Sequence, residues 1–261
     1  MLIDTHCHLN FDCFNHDYQQ LLLQLLAHNI NHIIVPGTDA KRWGDIIQLA
    51  SHNKMVHYAL GIHPHFLTSF TDQDLVQLKK TLLAVTAKTP HQCVALGEIG
   101  LDKLIACDMT FQENVFIAQL KIAISLKLPI ILHVVKTQSR VLQLLKQLKF
   151  PYGGIYHAFS GSEEIALEFI KLGFKLGIGG VITYPNATKT RATLSKLPLE
   201  SLVLETDAPD MPIYQQSGLY NSPLNLITIF KSLCNIRDES PEIVAEQLYD
   251  NSKSIFPIIN D

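Results

Sequence analysis

Met1-Leu2-Ile3-Asp4-Thr5-His6-Cys7-His8 is the stretch on which the reading of this chain turns. Its short apolar run predicts a buried strand, residues 2–5. Side chains alternate faces along a strand, so His6 and His8 point the same way, about 6–7 Å apart. Two imidazoles on one side of a strand end suit one metal ion. Cys7 between them faces the other way and reads as packing. A bare His-x-His pair is more often surface or core than ligand. The weight comes from what recurs downstream.

The run Cys93-Val94-Ala95-Leu96-Gly97 is followed by Glu98, and Pro129-Ile130-Ile131-Leu132 by His133. Gly153-Gly154-Ile155-Tyr156 is followed by His157, and Leu202-Val203-Leu204 by Glu205-Thr206-Asp207. Each residue alone has a plain structural explanation: a core histidine, a helix cap, a turn before Pro209. Together they put a potential ligand at the end of strand after strand. The candidate strands are 2–5, 31–35, 56–60, 93–97, 130–132, 154–157, 174–177 and 202–204, with amphipathic segments between them. Examples are Leu21, Leu22, Leu25 and Leu26, and Phe116, Leu120, Ala123 and Ile124. Strand–helix alternation predicts a parallel sheet with right-handed crossovers. Eight units over about 250 residues is the size of a TIM (β/α)8 barrel. The expected fold is therefore an α/β TIM barrel, one domain over residues 1–261, with extra C-terminal helices near 221–235 and 239–256. In such barrels the strand carboxyl ends build the active site. An open doubly wound sheet would instead spread the ligands along an edge.

Composition narrows the function classes. A hydrophobic fraction of 47% supports a large core. No apolar run approaches the roughly 20 residues that span a bilayer, and the acid at position 4 argues against a signal peptide. Five cysteines, odd in number and without C-x-x-C spacing, predict neither disulfides nor a zinc ribbon and fit a reducing cytoplasm. A net charge of −3 without a Lys/Arg run argues against coating a long duplex. Nothing indicates a membrane or an obligate protein partner. Gly177-Ile178-Gly179-Gly180 lacks a dinucleotide fingerprint and reads as a strand-to-loop turn.

His6, His8, Glu98, His133, His157 and Asp207 are more donors than one ion needs. Two divalent ions bridged by Glu98 use the set better, one with His6, His8 and Asp207, the other with His133 and His157. Imidazoles suit Zn, Ni and Co, while carboxylates admit Mn or Mg. A pair of ions polarises a substrate oxygen and makes water acidic near neutral pH, which is hydrolytic chemistry on a phosphoester or acyl group.

Several stretches resemble the TatD family of metal-dependent deoxyribonucleases, within the amidohydrolase-like barrels. They are Ile3-Asp4-Thr5-His6-Cys7-His8-Leu9, Gly61-Ile62-His63-Pro64-His65, Ala95-Leu96-Gly97-Glu98-Ile99-Gly100-Leu101-Asp102, Leu128-Pro129-Ile130-Ile131-Leu132-His133, Phe159-Ser160-Gly161-Ser162, the glycine run at 177–180, and Leu204-Glu205-Thr206-Asp207-Ala208-Pro209. The resemblance implies a (β/α)8 barrel, a divalent-metal site on the six residues above, and hydrolysis of DNA phosphodiesters. It also implies that His63 and His65 lie beside the substrate phosphate. The chain departs from the family's usual pattern at Lys103, Ala158 and Asn221-Ser222-Pro223-Leu224, none of them a ligand position.

The expectation is a cytoplasmic hydrolase with Asp207 and Glu98 in catalysis. It would act on DNA ends or a small phosphoester, as an exonuclease on single-stranded ends, with the 3′-to-5′ polarity that the resemblance implies. A cyclic amide or an aminoacyl-tRNA ester is the rival substrate, since the same ions polarise a carbonyl. A non-catalytic metal-storing protein would have no use for the acid Asp207. Asp102 and Glu205 read as caps or as partners of ligand histidines. Lys136, Arg140, Lys189 and Arg191 either approach a phosphate from the loops after strands 5 and 7 or, the preferred reading, are solvated surface; Trp43 reads as packing.

Overall fold

A computed structural model describes residues 1–14, 18–216, 219–256 and 259. The eight strands are β1 (Leu2–Asp4), β2 (Ile30–Pro36), β3 (Val56–Leu60), β4 (Cys93–Asp102), β5 (Ile130–Val135), β6 (Gly154–Tyr156), β7 (Phe174–Ile178) and β8 (Leu202–Leu204). All pair in parallel, in sequence order, in one sheet. The helices are α1 (Tyr18–Ala27), α2 (Trp43–Ser51), α3 (Asp72–Thr86), α4 (Met109–Leu126), α5 (Gln138–Gln147), α6 (Glu163–Lys171), α7 (Thr188–Lys196), α8 (Leu226–Cys234) and α9 (Pro241–Ile255). The expected TIM barrel is the observed fold. In α1, Leu22 and Leu25 are buried while Leu26 is largely exposed, so the buried stripe is narrower than the leucine run suggested. Helix starts carry local caps. The Asp108 side chain accepts from Phe111 N–H at the head of α4, and Ser240 caps α9 ahead of Pro241.

The core has two parts. A large cluster lies between sheet and helices and includes Cys7, Leu60, Phe116, Phe169 and Leu248. A smaller one fills the barrel interior, with Ile3, Ile34, Ala59, Val94, Ala95, Ile131, Ile155 and Val203 meeting Tyr249, Phe256 and Ile259. The second C-terminal helix is therefore a plug. Asn251 on α9 donates 2.7 Å hydrogen bonds to Leu199 O and Leu202 O, where β8 begins, which fixes the plug at the end of the barrel away from the strand carboxyl ends.

One departure from expectation and one expected turn bear on the site. First, β4 does not stop at Gly97 but runs to Asp102, so Glu98 sits mid-strand. Pairing with β5 shifts register between Leu96 and Ile99, which leaves one extra residue on β4 around Glu98. Such a bulge re-aims a side chain, and here it turns the Glu98 carboxylate among the histidines. Second, the glycine run at 177–180 is the expected strand-to-loop turn, leading from the end of β7 into a 3-10 turn. A Cβ on Gly177 would lie 2.1 Å from Glu205 Oε2, and one on Gly180 would lie 2.4 Å from Met211 O. These glycines make room for the Glu205 carboxylate and the loop after β8. Trp43 is buried and also donates from Nε1 to Gly61 O at 3.0 Å.

The barrel closes between β1 and β8. Thr5 N–H and Oγ1 both donate to Leu204 O at 2.9 Å. Beyond the strands, Asp207 N–H donates to His6 O and His8 N–H to Ala208 O, both at 2.8 Å. The buried Asp4 carboxylate ties the seam, accepting from Thr206 N–H (2.9 Å), Thr206 Oγ1 (2.6 Å) and His6 N–H (3.3 Å). Leaving a buried donor unpaired costs about 1–3 kcal/mol each. Asp4→Ala should accordingly lower unfolding stability by at least about 3 kcal/mol, read by denaturant titration. A loss below about 1 kcal/mol would remove the seam role.

Candidate active site

Every sequence-predicted site residue lies at the carboxyl-end mouth of the barrel. His8, His63, His65, Glu98, His133, His157 and Asp207 line one pocket of about 640 Å³, with His6 fully buried beneath them. His6 and His8 stand at a 5.1 Å ring separation, and His6 stacks on His157 at 3.6 Å.

Glu98 is the hub. Its Oε2 lies 3.1 Å from His6 Nε2 and 3.7 Å from His8 Nε2. Its Oε1 lies 3.0 Å from His133 Nδ1, 3.5 Å from His63 Nε2 and 3.8 Å from His157 Nε2. Asp207 stands opposite, with Oδ1 3.5 Å from His6 Nε2 and 3.6 Å from His8 Nε2, and Oδ2 3.7 Å from His157 Nε2. Donors bound about 2.0–2.2 Å from one ion sit roughly 3.0–3.5 Å apart, so these spacings suit a shared cation. Neither ring nitrogen of the buried His6 has a hydrogen-bond partner, which a ligand role explains and a purely structural role does not. The donor set therefore fits divalent metal.

Hydrogen bonds behind the histidines fix which nitrogen faces inward. Glu205 Oε1 lies 3.0 Å from His157 Nδ1 and also accepts from Ala158 N–H, so Nε2 is the nitrogen of His157 turned toward Glu98 and Asp207. Asp102 Oδ2 lies 3.1 Å from His133 Nε2, leaving Nδ1 for the Glu98 side. Both acids thus orient ligand-type histidines. His63 differs. Its Nδ1 accepts from His65 N–H at 3.1 Å, so its proton is on Nε2, which points a donor into the pocket rather than a lone pair. His65 is half-exposed at the rim, 2.8 Å from Asp102 Oδ2. The structure thus brings His63 to the edge of the ligand cluster, deeper than a loop position alone indicated.

Sequence reasoning passed over two supports. Buried Gln119 on α4 holds both the N–H and the carbonyl of Ile62, next to His63. Buried Gln112, two turns earlier on the same helix, holds the N–H and carbonyl of Asp102. The available signal was a pair of glutamines seven residues apart on an otherwise apolar face.

The electrostatics call for positive charge. Burial pushes the Asp207 carboxyl up to about 8, against the pull of His157. Burial lowers His6, and lowers His8 and His63 to about 4. Glu98 is held well below the usual carboxylate range, because His6, His63, His157 and the hydrogen bond from His133 outweigh its burial. Burial opposes charge on His157, yet Glu205, Asp207 and Glu98 raise it to about 10. A cation supplied to these acids removes the conflict.

The TatD related DNase family model matches residues 3–257. The chain belongs to the TatD family. It is 40% identical to the metal-dependent hydrolase YjjV of Escherichia coli over 98% of each chain. The crystal structure of that TatD homologue superposes with a TM-score of 0.93, covering 98% of each chain. The Bacillus subtilis metal-dependent hydrolase YabD is 29% identical over 99% of this chain and 100% of its own. A lactonase-type barrel from Deinococcus radiodurans shares the fold, with a TM-score of 0.71 at 13% identity. This TatD protein is a metal-dependent hydrolase acting on ester bonds, with histidine and acid clusters able to hold metal. Among the described residues, no helix is long and apolar enough to cross a membrane.

If Glu205 sets the inward face of His157, Glu205→Ala should weaken metal binding by about 10–100-fold, while Glu205→Gln, which keeps an acceptor oxygen, should recover part of it. Calorimetric titration with Mn or Zn distinguishes them. Equal affinity in both variants and the parent would refute the orienting role.

Proposed function

We propose that this protein is a deoxyribonuclease that holds two divalent ions and releases nucleotides from single-stranded DNA ends in the 3′-to-5′ direction. The observation that carries the two-ion reading is the divided Glu98 carboxylate, one oxygen among His6 and His8, the other among His133 and His157. His6, His8, Asp207 and Glu98 would hold one ion, and Glu98, His133 and His157 the other. Bound there, divalent ions would lower the pKa of water and offset charge developing on phosphate oxygens. Asp207 takes the proton of the attacking water, a task open to a carboxylate that lines the pocket beside His8 and His157. His63 Nε2–H donates to a phosphate oxygen, and half-exposed His65 meets the same group or the terminal sugar. Net charge −3 supports an end or small phosphoester entering the pocket over a duplex gripped along its length. The family's description as DNase supports phosphodiesters over cyclic amides or aminoacyl esters. The five free cysteines among the described residues are consistent with a cytoplasmic setting.

Metal titration should reach two ions per chain, and excess EDTA should abolish activity. Glu98→Ala should weaken both ions together, whereas His133→Ala should weaken one; loss of a single site in Glu98→Ala would refute the bridge. Asp207→Asn keeps the size and one oxygen but not the basicity, so turnover should fall by about 10²-fold or more with at least one ion retained. Near-normal turnover would refute the proton role. An end-labelled single strand should shorten stepwise from its 3′ end and a closed circle should resist. Early internal fragments, or faster hydrolysis of an aminoacyl ester or a lactone, would overturn the substrate assignment.

A further inference from the structure

The active-site pocket does not end at the metal ligands. Lys136 and Gln138 line it on one side, and the same two residues line a second depression of about 480 Å³ with Lys103, Thr137 and Arg140. The two spaces are therefore neighbours on either side of Lys136 and Gln138, at the start of α5. Lys103 follows β4 and Lys136 follows β5, and Lys103 N–H donates to Val135 O, so the two loops travel together. Both lysines are exposed.

The charges in this groove are unevenly balanced. Arg140 is committed to Glu113, with Nε to Oε1 at 2.7 Å and Nη2 to Oε2 at 2.6 Å. Asp102 is turned inward to His65 and His133, and Asp108 accepts from Phe111 N–H. Lys103 and Lys136 have no carboxylate partner among the described residues. Lys136 also sits at φ 57°, a left-handed conformation that a lysine rarely adopts. In a protein of net charge −3, two unpaired lysines beside a pocket crowded with acids are a local reversal of sign.

We infer that this groove is a second anion subsite, taking the phosphate next to the scissile one through Lys103 and Lys136. This rests on the phosphodiesterase reading and narrows it. The substrate is then a strand with a flanking charged linkage, and a lone phosphodiester such as a dinucleoside phosphate lacks part of the binding. A lysine is suited to this task because its flexible point charge follows a backbone phosphate without reading a base.

The test compares the metal-loaded parent with Lys103→Gln/Lys136→Gln, which keeps length and removes charge. Probes are the trinucleotide TpTpT, the same trinucleotide with its uncleaved linkage made a neutral methylphosphonate, and bis(p-nitrophenyl) phosphate. The parent should prefer TpTpT to its methylphosphonate form by roughly tenfold in kcat/KM, mostly through KM. The double variant should lose that preference and show a salt dependence of binding reduced by about one to two charges. A parent indifferent to the methylphosphonate, or a variant with the parent's preference, overturns the subsite. Failure of the underlying reading looks different: the metal-loaded parent then cleaves none of the three probes. In that event, fluorescence anisotropy with a labelled oligothymidylate still decides the groove. Parent binding at least several-fold tighter than the variant supports it, and equal binding overturns it.

Discussion

The carboxylate of Asp4 is the constraint on which the rest of the structure depends. A barrel holds together only if its first and last strands meet, and β1 and β8 are three residues each. Strands that short carry few ladder hydrogen bonds, so a buried acid supplies what the ladder lacks. It receives two donors from Thr206 and one from the backbone of His6. The residues it clamps are the immediate neighbours of His6, His8 and Asp207. Closing the fold and gathering one side of the cluster able to hold metal are thus one event. The arrangement burdens the folded state, since burial raises the Asp4 carboxyl to about 7.

A second regularity runs through the site: two of its inward histidines have an acid behind them. Glu205 stands behind His157 and Asp102 behind His133. Acids in a buried place are costly unless matched by positive charge. The histidines match them only in part, because burial keeps His6 and His8 neutral while neighbouring acids raise His157 and His133 against it. Divalent ions complete the match with the fewest atoms. The glycine at 177 belongs to the same economy, as its missing side chain is the space in which the Glu205 carboxylate lies.

How much of this was legible in the sequence follows from the range of each signal. Strand ends bearing His133, His157 and Asp207 were readable because a short apolar run followed by one polar residue is a local pattern. The barrel followed from repetition of that pattern. The mid-strand place of Glu98 was not readable, because β4 continues as Ile99-Gly100-Leu101-Asp102 with glycine interrupting it, and the bulge shows only in the register against β5. The partners Asp102 and Glu205 were visible as acids that either cap a turn or orient a histidine, and the choice between the two depends on which nitrogen of a ring across the barrel they face. Gln112 and Gln119 lay unnoticed on α4 because a glutamine has no preferred use until a backbone is placed beside it.

The plug formed by Tyr249, Phe256 and Ile259 has a consequence for how the molecule comes into being. Asp4 and Thr206 are 202 residues apart in the chain, and the interior cluster is incomplete until residues 249–259 have been synthesised. While a ribosome is still making the second half, the first strands have neither their closing neighbour nor their floor. Contacts so distant in sequence form slowly, because the loop they close must be ordered first. The nascent barrel is therefore an open, half-floored sheet for most of its synthesis, and its hydrophobic interior is sealed from both the seam and the base at nearly the same late moment.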